Sequence, residues 1–395
     1  MILNIKHKLE NIESPIDELL QHRGLNRLWL KANEQNLYNG NLLLNFEKAV
    51  KFIDEIFEKK PVVGIIVDMD MDGACSSSII YNWLKIKCPT LDIRLIIPEG
   101  KVHGIIEEII PADIEYLIIP DASSSEVEKH KSLYNKNIKI LILDHHIIEQ
   151  YGSPAIIVNP HHEDCKYPNK DLSGGGVVFK FISAYDEHYG SHDYEMFFDL
   201  AAASIVADGM SLKSLENKAI VNIGLTRIVN PMFKAYFIVD KRAQNKSVDA
   251  ILIGYYFAPI INAIIRMGTV EDKMLMMKAF IGEADAVQAM SSMVSLKGKQ
   301  DNNKDKIIPL LVYGLQKNKT DNENVIIATA PSTLFASSTG LVAGNLSSQY
   351  FRPVLLGRNK DEDFVGSVRV PNDCNIDNFK DFCNESGLFN WAAGK

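Results

Sequence analysis

At 395 residues, 46% of them hydrophobic and 23% charged, the chain is long enough for two domains with cores of their own. A formal net charge of −8 excludes a protein coated in positive potential, so any nucleic-acid contact must use a local basic groove. Five scattered cysteines, Cys75, Cys88, Cys165, Cys374 and Cys383, form neither an even framework nor a metal-ligand pair.

The first residues, MILNIKHKLENIE, lack the apolar core of a signal peptide, and with the cysteine usage this leads us to expect a cytoplasmic protein. Up to about residue 45 the chain reads as a helical preface, with SPIDELLQHRGLN supplying a Ser-Pro start and an apolar stripe. The next stretch, PVVGIIVDMDMDGACSSS over 61–78, organises the rest. Residues 62–67 are an unbroken β-branched run, as in a parallel strand buried on both faces. Asp68, Asp70 and Asp72 follow, Gly73 lets the chain turn, and a helix is expected from near Ala74, burying Ile79, Ile80, Trp83 and Leu84. Three carboxylates this close raise one another's pKa unless a cation neutralises them, so the economical reading is a divalent-metal site. An EF-hand loop would need a bidentate Glu where Ile79 stands. A haloacid-dehalogenase reading, with Asp70 as nucleophile and Asp72 as acid/base, lacks a later paired-aspartate motif. A merely solvated acidic turn fits poorly directly after a buried strand.

Further strands are expected at 93–97, 116–119, 138–143 and 155–158, separated by helix-length segments such as 124–134. That alternation predicts an α/β fold with a parallel, doubly wound sheet. From 171 the pattern turns helical, at 175–185, 194–207, 217–228 and 270–293. Met274, Met276, Met277, Met290 and Met293 in the last of these read as core packing. The most apolar window, 251–265, is interrupted by Pro259 and Asn262 and reads as too short to span a bilayer, so no membrane partner is expected. The polar runs 297–306 and 316–324 read as solvated loops, the first as a domain boundary. Strands at 307–313, 325–329 and 353–356 with a helix at 339–350 then suggest a smaller α/β domain. The division expected is 1–235, a helical connection over 236–300, and 301–395, with the active site in the cleft between the two α/β domains.

The strand 138–143 ends in Asp144-His145-His146, Asp121 closes another strand, and Asp208 closes the apolar helix AAASIVADGM. Open α/β sheets place their chemistry beyond the carboxyl ends of strands, where these groups fall together with Asp68–Asp72. Carboxylates and imidazole without thiolate suit Mn²⁺ or Mg²⁺ better than structural zinc. A zinc site from His161, His162 and Cys165 is not favoured, for want of a fourth ligand.

These residues resemble the DHH phosphoesterase superfamily, closest to RecJ-like single-stranded-DNA-specific exonucleases. The matches run in order through Asp68–Gly73, Asp121, Asp144-His145-His146, Asn159-Pro160, LSGGGVVF at 172–179, Asp208, APIINAIIRMG at 258–268, STGLVAGNLSSQYFRP at 338–353 and GSVR at 366–369. The resemblance implies two ions, Mn²⁺ or Mg²⁺. Asp70 and Asp121 with Asp68 would hold one, and Asp72, Asp121, His145 and Asp208 the other, with Asp121 bridging. His146 would face the scissile phosphate, with Asp144 orienting a histidine, Arg266 touching substrate phosphate, and Gly366, Ser367 and Arg369 holding a terminal one. The chain departs from the family pattern at Gly387-Leu388-Phe389, where Gly-Gly-His is usual, and at Asp121-Ala122-Ser123, where Asp-x-Gly is usual. The implied function is a 5′→3′ exonuclease releasing 5′-mononucleotides from single-stranded DNA in recombination and repair, alongside replication or repair proteins. The alternatives are a phosphodiesterase for short oligonucleotides, cyclic dinucleotides or a nucleoside bisphosphate, and a non-catalytic DHH scaffold.

Overall fold

The computed structural model describes residues 14–100, 103–244, 246–371, 374 and 378–392. The first 13 residues of the expected helical preface lie outside them. The chain divides into two compact units, Met1–Val294 and Ser295–Lys395.

The first unit is built on five parallel strands: β1 (Val63–Ile66), β2 (Ile93–Ile96), β3 (Tyr116–Pro120), β4 (Lys139–Leu143) and β5 (Ile156–Val158). Their spatial order is β2-β1-β3-β4-β5. Ile66, Leu117, Ile119, Ile140, Ile142 and Ile157 interlock in one buried cluster, which is why these runs read as continuous rather than alternating apolar sequence. In this order the chain leaves β1 toward β2 on one side and returns to β3 on the other. That reversal opens a crevice at the carboxyl ends of β1 and β3. Helices Met71–Lys87, Gly174–Tyr189 and Phe198–Ala207 complete the surroundings of that crevice.

The second unit has its own three-stranded sheet, β6 (Ile326–Thr329), β7 (Val354–Lys360) and β8 (Asp363–Arg369). Strands β6 and β7 run parallel, while β7 and β8 form an antiparallel pair. Helix Thr339–Tyr350 buries Val342, Ala343 and Leu346 against Ile326, Val354 and Leu356.

Several expectations are corrected. The runs 297–306 and 307–313, expected as loop and strand, both lie in the helix Ala286–Asn318. Ile307, Leu311 and Leu315 recur at helical spacing and pack on the second unit's core, and Lys297 pairs with Asp301 one turn on. Polarity there marked a solvated helix face, and the division between units falls inside this helix. The helix expected over 270–293 breaks after Phe280, where Gly282 takes φ +83°. Strand β8 was not anticipated. Residues 250–267 form a helical run that by length and apolarity alone could cross a bilayer, but half of it is buried inside the protein, as a core helix is.

Candidate metal centre

Strand β1 delivers Asp68 at its end, and Asp70 caps the helix Met71–Lys87 by accepting from the Gly73 amide at 2.9 Å. Asp72 lies in the first turn of that helix. Gly73 is therefore helical rather than a turn residue. Its lack of a side chain serves close packing, because a Cβ there would stand 2.3 Å from the Asp68 carbonyl oxygen.

Asp72 is buried under a second helix N-terminus. The Gly174 and Gly175 amides each donate to it at 2.8 Å, one to each oxygen, and the Ser204 hydroxyl donates to Oδ1. The glycine run of LSGGGVVF is thereby explained by space. A Cβ on Gly174 would lie 2.4 Å from Asp121 Oδ1, and one on Gly175 would lie 2.4 Å from Ser204 Oγ.

Asp121 ends β3 with φ +64°, a left-handed conformation that aims its carboxylate into the crevice. Ser123 also has a left-handed φ, +77°, at the position where the family pattern carries glycine. Its hydroxyl donates to Glu126 Oε2 at 2.7 Å, a bond that glycine could not make. Strand β4 then presents Asp144, His145 and His146. His145 Nε2 stands 3.2 Å from Asp121 Oδ1, 3.5 Å from Asp208 Oδ2 and 3.8 Å from Asp72 Oδ2.

Three groups of side chains present ligand atoms within 4.8 Å of one another: Asp68, Asp70 and Asp121; Asp72, His145 and Asp208; and Asp121, His145 and His146. Asp121 and His145 each belong to two of them. Asp144 belongs to none. Its Oδ1 accepts from the His145 amide, the His146 amide and His146 Nδ1, the last at 2.8 Å, and Oδ2 accepts from the Ser124 amide. Asn159 Nδ2 donates to Ser124 Oγ and to the His146 carbonyl, bracing the same loop.

The electrostatics follow from crowding. Burial, reinforced by Asp72, Asp70 and Asp68, pushes the Asp121 carboxyl well above its ordinary value. Burial likewise raises Asp72 to about 6, with His145 opposing. Asp68 is raised by burial against the His103 imidazole. Burial would raise Asp144 too, but its hydrogen bonds from His146 and Ser124 outweigh that, and it stays well below the usual carboxylate range. Asp121 Oδ1 is buried and makes no hydrogen bond. A crevice of buried carboxylates with an unsatisfied oxygen at its middle is a donor set that fits hard or borderline divalent cations.

Sequence reasoning missed three members. Ser204, one turn before Asp208 in the apolar run of helix Phe198–Ala207, gave a usable signal. Ser124 and His103 gave none, being brought in by tertiary contact. Arg266 lies in the last turn of helix Ala258–Met267. Gly366, Ser367 and Arg369 lie on β8 in the second unit. There Ser367 Oγ is 3.2 Å from Thr339 Oγ1, and a Cβ on Gly340 would stand 2.8 Å from Arg369 Nη2. At Gly366 a Cβ would lie 2.5 Å from Gly357 Cα, its partner across the β7–β8 pair, so the absence of a side chain serves strand pairing there. His161, His162 and Cys165 form no metal-ligand group among the described residues.

An open parallel sheet with an acid–imidazole centre at its switch point defines a divalent-cation-binding α/β protein. The profile of the DHH family, N-terminal domain, matches residues 62–210. The chain is 32% identical over 403 residues to the provisionally named SPbeta prophage-derived single-strand DNA-specific exonuclease YorK of Bacillus subtilis, covering 96% of this chain and 70% of that protein. It is 24% identical to the single-stranded-DNA-specific exonuclease RecJ of Bacillus subtilis, covering 90% of this chain and 46% of the relative. A crystal structure of exonuclease RecJ bound to manganese superposes with a TM-score of 0.69 at 21% identity, covering 85% of this chain and 84% of that one. RecJ from Thermus thermophilus in complex with Mn²⁺ gives 0.74 at 22% identity, covering 90% of this chain and 51% of that one. The chain belongs to the DHH family, in its RecJ-like group.

Proposed function

We propose that the protein is a metal-dependent phosphodiesterase that acts as a 5′→3′ exonuclease on single-stranded DNA and releases 5′-mononucleotides. The observation that carries this reading is the overlap of ligand groups through Asp121 and His145 at the carboxyl ends of β1, β3 and β4. Asp68, Asp70 and Asp121 would hold one Mn²⁺ or Mg²⁺, and Asp72, Asp121, His145 and Asp208 a second. Cations held there would supply Lewis-acid chemistry: a lowered pKa for bound water, a clamp on the phosphate and compensation for charge on the departing oxygen.

The chain's own residues do the rest. The Gly174 and Gly175 amides and Ser204 hold Asp72 in one orientation before any ion arrives. Asp144 fixes the His146 ring through Nδ1 and so sets which edge of the imidazole meets the scissile phosphate. Arg266 and Arg369 would contact substrate phosphates, to which a guanidinium fork is matched. The names of the RecJ relatives support single-stranded DNA as substrate. Phe389, standing where the family pattern has histidine, favours short oligonucleotides as the second reading.

The test is hydrolysis of 5′-labelled long single strands and of dinucleotides after exhaustive chelation, then with Mn²⁺, Mg²⁺ or Ca²⁺ restored. We expect mononucleotide release from the 5′ end, absent in chelator, best with Mn²⁺ and poor with Ca²⁺. Full turnover in chelator would sink the metal chemistry, and turnover confined to dinucleotides would move the substrate to the second reading.

A further inference from the structure

Resting on the metal reading above, we infer that His103 is a positioning residue of the centre: it orients Asp68 from outside the ligand set. His103 Nδ1 lies 2.9 Å from Asp68 Oδ1 and 2.8 Å from Oδ2, so the imidazole N–H is shared across both oxygens of a buried carboxylate. A carboxylate is only an acceptor when ionised, so Nδ1 donates. The ligand groups include Asp68 with Asp70 and Asp121 but do not extend to His103. Histidine therefore touches the ligand and not the ligand cluster, the arrangement by which outer groups fix the angle at which a carboxylate meets an ion.

The surrounding backbone is built to deliver this ring. His103 lies in the connection after β2, and described residues before and after it are tied down by hydrogen bonds. Before it, the Lys273 ammonium donates to the carbonyls of Pro98, at 3.3 Å, and Gly100. The Lys273 side chain is wholly buried, and an ammonium withdrawn from water is costly unless it is hydrogen-bonded. After it, the Ile105 amide donates to Glu126 Oε2 at 2.8 Å, and Lys129 Nζ donates to the Ile105 carbonyl at 2.7 Å. Gly104 takes φ +79°, and a Cβ there would lie 2.5 Å from the same Glu126 oxygen. Charged anchors, Lys273 buried and Glu126 with Lys129 half-buried, thus fix described backbone before and after a half-exposed imidazole whose Nδ1 lies on Asp68.

The experiment titrates Mn²⁺ into the full-length metal-free protein, with free ion followed by electron paramagnetic resonance and melting followed by circular dichroism. His103→Ala is expected to weaken one of two Mn²⁺ sites by about 10–100-fold and leave the other unchanged, the usual effect of removing an outer partner. His103→Asn, whose amide N–H can stand where Nδ1–H stood, should restore most of that loss. Lys273→Met should weaken the same site, and the two His103 variants keep the test open should Lys273→Met fail to fold. Wild-type protein that binds no Mn²⁺ would overturn the metal reading and this inference with it. Two tight sites in wild type and undiminished binding in His103→Ala would overturn this inference alone. Equal losses in His103→Ala and His103→Asn would make His103 a direct ligand and end the positioning role.

Discussion

The acid–imidazole centre of the first unit and the Thr339–Ser367–Arg369 corner of the second handle charge in opposite ways. In the centre, Asp72, Asp121 and His145 are buried, and their orientations are set by backbone amides, a serine hydroxyl and a strained φ at Asp121. In the corner, Arg369 is exposed, and its Nη1 donates to the neighbouring Val368 carbonyl at 2.7 Å. Burial makes each interaction in the centre strong and each unmet charge expensive, whereas solvent screens the corner. The centre is thus preorganised at a cost to the metal-free fold, and the corner is adaptable and weak.

The largest expected effect breaks the centre. Asp121→Ala should lower hydrolysis by ~10³-fold or more, about 4 kcal/mol of barrier, with the far-ultraviolet circular dichroism unchanged. Asp121→Asn should do the same to activity while raising the melting temperature of the metal-free protein, because it removes a buried charge repelled by Asp72, Asp70 and Asp68. Near-wild-type activity with Asp121→Ala would show that the two ligand groups are not joined through this residue.

Next in size is a change that adds one methyl group. Gly174→Ala drives a Cβ against the Asp121 carboxylate and should cost roughly 1–3 kcal/mol in urea unfolding. Mn²⁺ affinity should fall with it by about 10–100-fold. Gly190→Ala would be a poor control because of its positive φ, so Gly298→Ala, with open space around its Cα, serves instead.

The pH dependence sharpens the contrast. Asp72 has its folded pKa raised to about 6, above the unfolded value, so it favours the fold while protonated. Its contribution is fully present below about pH 4 and is lost as pH rises through about 6, which should destabilise the metal-free protein by roughly 2–3 kcal/mol across that window. Mn²⁺ competes with that proton, so affinity should rise over the same interval and the stability loss should vanish in saturating Mn²⁺. Thermal melts with and without ion would check both arms; a metal-free melting temperature that climbs from pH 4 to pH 6.5 would contradict the assignment.

The smallest effect lies in the corner. Arg369→Ala should weaken 5′-phosphorylated strands by about 1 kcal/mol, roughly fivefold, and 5′-hydroxyl strands much less. Equal losses on the two substrates would mean that Arg369 does not read the terminal phosphate.

What sequence made legible was the part of the protein governed by local rules. The parallel strands were readable because a strand covered on both faces needs unbroken apolar residues, and Asp68, Asp70, Asp72, Asp121 and Asp144-His145-His146 stood out because they close or closely follow such runs, at the strand ends where the structure brings ligand atoms together. Helix Thr339–Tyr350 was placed from its pattern. The 297–313 region was misread because polarity and a short apolar run do not distinguish a solvated helix face from loop and strand until one knows what Ile307 and Leu315 pack against. Tertiary structure alone decided which oxygens face one another. The strand order β2-β1-β3-β4-β5 brings Asp72 within reach of Gly174, Gly175 and Ser204, more than a hundred residues away, and His103 onto Asp68. Side-chain chemistry is a property of the residue and travels with the sequence; distance and burial, which set the pKa of Asp121 and the order of the ligands, exist only once the chain has closed around them.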